Sequence, residues 1–159
     1  MDDIFFMQAA LREAEKAFKK KETPVGAIAV QQGKIIARAH NLREHGQNPL
    51  GHAEILLIQK TSKKMKSWRL GGVTIYVTLE PCLMCLGALL QARVTRLVFG
   101  APDPKAGACG SFYDLDLAGR GKKHLHTMSV TSSILGRECG EILSGFFEDL
   151  RRSKKNKKK

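Results

Sequence analysis

VTIYVTLEPCLMCLGALLQA, residues 73–92, changes character at its middle. Val73 to Leu79 are mostly β-branched or aromatic, which suits a pleated, half-buried strand. From Cys82 to Ala92 the chain is mostly apolar and reads as a helix. Pro81 sits where a helix can begin, because its missing N–H is not needed in the first turn. TRLVFG, residues 95–100, then supplies another strand. A strand feeding a helix and a further strand implies parallel pairing in this half of the chain.

Working outward, Ile4, Met7, Leu11, Ala14 and Phe18 recur at three- and four-residue steps, the stripe of an amphipathic helix. Lys19 to Lys21 end it, with cations at the negative pole of the helix dipole. VGAIAV after Pro24 reads as a buried strand, Gln31-Gln32-Gly33 as a turn, and KIIARAH as its hairpin partner. Asn41 to Gly51 form a loop, and His52 to Lys64 a helix. After the central strands, Ala101 to Gly110 form a loop with two Pro and two Gly. Ser111 to His126 carries no decisive pattern, HTMSVTSS holds a last short strand, and Ile134 to Arg152 form a helix. The helix face is Leu135, Ile142, Phe146 and Leu150. The expected architecture is α/β: three layers, α/β/α, around a mixed five-stranded sheet. Residues 1–152 make one domain, and 153–159 a basic, disordered tail.

Composition narrows the function classes. A chain of 159 residues with 43% apolar content suits one domain with a full core. No apolar run approaches the roughly 20 residues of a membrane span, and MDDIFFMQAALREAEK lacks the pattern of a signal peptide. A cytoplasmic protein without a membrane partner is the expectation. In that setting four cysteines point to metal binding or redox chemistry more than to disulfides. The net charge is +12; RRSKKNKKK at the end carries seven positive charges, and Lys60 to Arg69 carry five with no acid. Charge alone leaves two readings open, a polyanionic partner such as nucleic acid or a solvated, solubilising surface.

Cys82 and Cys85 stand three residues apart, so a helix start brings both thiols to roughly one face, where the dipole favours thiolate. By itself that pair fits a dithiol redox centre or half of a zinc site. His52 offers a third ligand. Two Cys and one His leave the fourth position of a tetrahedral zinc open, as in catalytic sites. Glu54 could carry a proton beside the metal. Two helical steps turn about 200°, so His52 and Glu54 face one site only if His52 is the non-helical cap residue. Taken together, H-x-E followed by P-C-x-x-C is the signature of zinc nucleobase deaminases, with Glu as acid/base and not as ligand.

On these motifs the chain resembles the cytidine deaminase-like superfamily. PVGAIAV, the Asn41 loop, HAEI, YVTLEPCLMC, RLVFGAPDPKAGACGS and GFFEDLRR make it similar to the bacterial tRNA-specific adenosine deaminases. The resemblance implies hydrolytic deamination of adenosine to inosine at the wobble position of a tRNA anticodon. It implies one zinc ion per subunit on His52, Cys82 and Cys85, with Glu54 as proton shuttle. It further implies Asn41 against the target nucleoside, Asp103 and Lys105 in a loop facing the anticodon stem-loop, and a homodimer. Gly51, Pro102 and Ala106 depart from the family pattern, which has Ala, Arg and Thr there. A deaminase of a free base or nucleoside, of guanine or cytosine type, would share all the metal and proton-transfer residues. A non-catalytic zinc or RNA-binding module would not need Glu54. Cys109 is read as incidental and Cys139 as a packed thiol. His40, His45, His124 and His126 are read as carrying no metal, and Trp68 as an apolar anchor.

Overall fold

The computed structural model describes residues 2–115 and 126–159. Among these, the elements in order are α1 (Asp3–Lys19), β1 (Gly26–Gln31), β2 (Lys34–His40), α2 (Ala53–Met65), β3 (Val73–Leu79), α3 (Leu83–Gln91), β4 (Arg96–Ala101), β5 (Ser129–Thr131) and α4 (Gly136–Asn156). The strands form one five-stranded sheet in the order β2-β1-β3-β4-β5. β1 is antiparallel to β2 and β3, whereas β3 pairs with β4, and β4 with β5, in parallel. The mixed sheet expected from sequence is therefore present. The β1–β2 turn has positive φ at both Gln32 and Gly33, the primed conformation that matches the twist of a two-residue hairpin.

Alternation along the strands divides the core in two. Ala27, Ala29, Val73, Ile75, Val77, Leu97 and Phe99 point to one face and pack with Ala53 and Leu57 of α2 and Leu86 and Leu89 of α3. Ile28, Val30, Tyr76 and Val98 point to the other, against Phe6, Met7, Ala9 and Ala10 of α1 and Cys139 of α4. Successive side chains of a strand alternate between faces, so a sheet covered on both sides needs apolar residues at nearly every position. That is why VGAIAV and VTIYVTL read as continuous apolar runs.

The buried face of α1 differs from the expected stripe. Met7, Ala10, Ala14 and Ala17 are buried, whereas Ile4 is 45% exposed. The reason is the approach to β1. A side chain on Gly26 would collide with the backbone of Ala10 and Ala14, so the contact is made by glycine against alanine. Small residues bring helix and strand together, and the larger Leu11 and Phe18 flank the seam.

Three other expectations need correction. Pro81 is not inside α3: Cys82 is the N-cap, in extended conformation, and Pro81 precedes it. α4 begins at Gly136, two residues later than expected, and runs to Asn156. Residues 153–156, Ser-Lys-Lys-Asn, are thus helical: they include no Gly or Pro, and cations suit the end of a helix. Trp68 is 55% exposed, with the Arg69 guanidinium 4.3 Å from its ring centre, so it is not an anchor in the core. Most of the unassigned segment 111–126, His124 included, lies outside the described residues.

Candidate active site

The ends of β3 and β4 and the start of α2 meet at one pocket. His52 has φ −71° and ψ 149°, extended backbone that places it as the N-cap of α2. Glu54 is the second helical residue. The cap geometry removes the 200° separation of a regular helix, and both side chains reach the pocket wall. Cys82 caps α3, and Cys85 lies one turn along it.

His52 Nδ1 is 3.7 Å from Cys82 Sγ and 3.5 Å from Cys85 Sγ. All three donor atoms lie within 4.8 Å of one another. A tetrahedral ion with metal–sulfur and metal–nitrogen bonds of about 2.3 and 2.05 Å would hold S and N about 3.6 Å apart. The donor set thus fits a metal of zinc's size and softness, and two of its three members, His52 and Cys82, line the pocket. Hydrogen bonding from Cys85, and then from His52, draws the Cys82 thiol down to about 4, the thiolate form a metal needs. The same bond, with burial, pushes Cys85 upward. The hydrogen bond to Cys82 raises His52. Glu54 is 4% exposed, and burial raises its carboxyl above the usual range.

The pocket walls come from two connections. Asn41 is buried; its amide Nδ2 donates to Thr23 O at 3.1 Å, and its Oδ1 accepts from the Arg43 N–H at 3.0 Å. Beneath this 41–51 loop lies Glu22, fully buried, accepting the N–H groups of Glu44 and His45 and facing His45 Nδ1 at 2.9 Å. Burial pushes Glu22 up, but these hydrogen bonds outweigh it and hold the carboxyl below its ordinary value. The opposite wall is the loop after β4. There Asp103 lines the pocket, and its Oδ1 accepts from the Lys105 and Ala106 N–H groups.

A family model described as MafB19-like deaminase matches residues 1–151. The tRNA-specific adenosine deaminase of Bacillus subtilis is 48% identical over 157 residues, covering 99% of this chain and 96% of that protein. That of Haemophilus influenzae is 45% identical over 158 residues, covering 98% and 89%. The chain belongs to the tRNA-specific adenosine deaminase family. A solved structure from work on A-to-I editing by tRNA:A34 deaminases at the wobble position superposes with TM-score 0.79 at 38% identity, covering 87% of this chain and 98% of that one. A guanine deaminase of Nitrosomonas europaea shares the fold, with TM-score 0.78 at 21% identity, 91% of this chain and 84% of that one.

In this deaminase the structure brings His52, Glu54, Cys82, Asn41 and Asp103 to one pocket, with Cys85 directly behind. Lys105 is exposed on the same loop and does not line the cavity. The other cysteines stand apart from the donor set. Burial pushes both Cys109 and Cys139 up to about 12, and Cys139 is packed against Gly100. His40 faces Glu13 and Lys20, His45 faces Glu22, and His126 Nε2 meets the Val94 carbonyl at 2.6 Å. Sequence reasoning missed Arg43, Thr23 and Glu80 on the pocket wall. The acid directly before Pro81 was the one visible signal for Glu80, a charge in an otherwise apolar run.

Proposed function

We propose that this protein is a zinc-dependent, cytoplasmic tRNA adenosine deaminase that converts the wobble adenosine of an anticodon to inosine. The observation that carries the reading is Glu54, itself buried, on the wall of the pocket that His52 and Cys82 also line, with Cys85 completing the donor set behind them. Bound on those three residues, zinc would supply a water whose pKa falls to about 7.

The chain's own groups do the rest. Glu54 Oε takes a proton from the attacking water and passes it to N1 of the adenine. With the water oxygen bonded to C6, Glu54 takes the remaining hydroxyl proton and relays it to the amino group as C6–N6 breaks; ammonia departs and the C6 carbonyl of inosine remains. A carboxyl raised by burial suits that exchange, since acid/base work is most efficient when the pKa approaches the operating pH. Asn41, its amide already oriented by Thr23 and Arg43, would hold the nucleoside at the mouth. Asp103 and Lys105 would face the anticodon loop from the opposite wall. An anticodon loop is single-stranded, so presenting a flipped base costs little unstacking energy. The net charge of +12 suits an RNA partner, whose phosphates it would neutralise.

A homodimer is part of the proposal. Leu83, next to a metal-ligating cysteine, and Phe112 and Tyr113, next to the Asp103 loop, are large apolar side chains exposed beside the pocket. They would pack against a second copy. The test of function is incubation with total tRNA and a count of inosine at the wobble position. Efficient deamination of free guanine or cytidine with tRNA left untouched would replace this reading by the free-base one.

A further inference from the structure

Glu80 lies between the end of β3 and Pro81 and is 2% exposed. Its carboxylate accepts backbone N–H groups from Asp103 on Oε2 at 2.9 Å, and from Cys109 and Ser111 on Oε1 at 2.9 and 3.1 Å. These donors span almost the whole connection after β4. In the middle of it Gly107 passes so close that a Cβ would strike the Glu80 carboxylate and the Asp103 carbonyl. Main-chain links close the other side: the Ala108 N–H donates to Pro81 O at 2.9 Å, and Cys82 bridges Gly107. Among the described residues Glu80 forms no ion pair. A buried charge without a cation persists only when hydrogen bonds replace its water. Here every replacement comes from a loop that walls the active site.

We propose that Glu80 is a positioning residue: its carboxylate holds the 102–111 loop against the metal-ligating Cys82 segment and thereby sets the substrate-facing wall. The proposal deepens the tRNA-deaminase reading and rests on it for the identity of the substrate. Both carboxylate oxygens are in use as acceptors. A glutamine would turn an NH2 group towards one set of N–H donors, so an amide of the same shape cannot replace the acid. Glu80 acts through the loop and not on the reacting atoms. Its loss should weaken the grip on RNA more than the chemical step.

The test is Glu80→Gln in zinc-loaded full-length protein, with Glu80→Asp in its place if the amide variant does not fold. Hydrogen exchange of residues 103–111, bound zinc, and KM and kcat on tRNA are measured well below both melting temperatures. The expected result is unchanged zinc, exchange in 103–111 faster by about tenfold, KM higher by about tenfold and kcat within about threefold. Unchanged exchange overturns the proposal, as does an unchanged KM despite a lower melting temperature. Loss of zinc would assign Glu80 to the metal segment instead, and also overturns it. If wild-type protein fails on tRNA, the substrate reading falls; the exchange and zinc measurements then decide the loop assignment alone.

Discussion

His52 and Glu54, two residues apart, face the same pocket because His52 stands outside the helix that Glu54 begins. A regular helix would turn them apart. The extended cap gives His52 to the three-donor cluster and leaves Glu54 beside it on the pocket wall. Glu54→Gln preserves the shape of the site but removes the proton carrier. It should retain full zinc by metal analysis and lose about 100-fold or more in kcat on tRNA. Wild-type turnover in that variant would rule out the shuttle.

The three-donor arrangement predicts the response to ligand loss. His52→Ala or Cys82→Ala leaves two donors, too few to hold a catalytic ion tightly. Bound zinc should fall close to zero in either variant, with activity lost in parallel. Undiminished zinc would reject the ligand set.

Glu22 makes stability depend on pH. Its folded carboxyl lies below the ordinary 4.5, held there by the His45 and Glu44 N–H groups. A depressed carboxyl stabilises the fold fully above the unfolded value and loses that contribution as pH falls through the folded one. Glu22→Gln should therefore cost about 2 kcal/mol in urea unfolding at pH 7. The gap to wild type should narrow below pH 4.5. A gap that does not change with pH would show that the charge at Glu22 is irrelevant.

The end of α4 carries the clearest electrostatic prediction. Residues 153–159 contain five lysines, and the first four of these residues continue the helix. Their removal should leave the core folded, since they are exposed. It should weaken tRNA binding and lower the slope of log affinity against log salt by about one to three units. An identical slope would make this segment a bystander.

Most of the strand pattern was legible because the sheet is buried on both faces, which writes long β-branched runs into residues 25–30 and 73–79. The His52, Cys82 and Cys85 cluster was legible because Cys and His are uncommon residue types and the two cysteines stand three apart at a helix start. The wall of the pocket was not. Glu80 and Glu22 find most of their partners among backbone N–H groups, and backbone donors leave no residue-specific mark in a sequence. The true seam of α1 was hidden for a related reason: alanines facing Gly26 carry less hydrophobic signal than the larger residues beside them. The run of α4 past Arg152 to Asn156 was obscured by its basic composition, which suits an exposed helix as well as an unstructured tail.

The placement of the Glu80 and Glu22 clamps also bears on how such a protein can change over evolutionary time. The His52, Glu54, Cys82 and Cys85 cluster stands at two helix starts beside the central sheet, whereas the pocket walls are connections, each pinned from below by its own acid. Heritable change in 41–51 or 102–111 can therefore alter what is recognised while the reaction is inherited intact. Laboratory selection for a new nucleoside context should gain its first improvements in these two loops, with the helix starts left as they are.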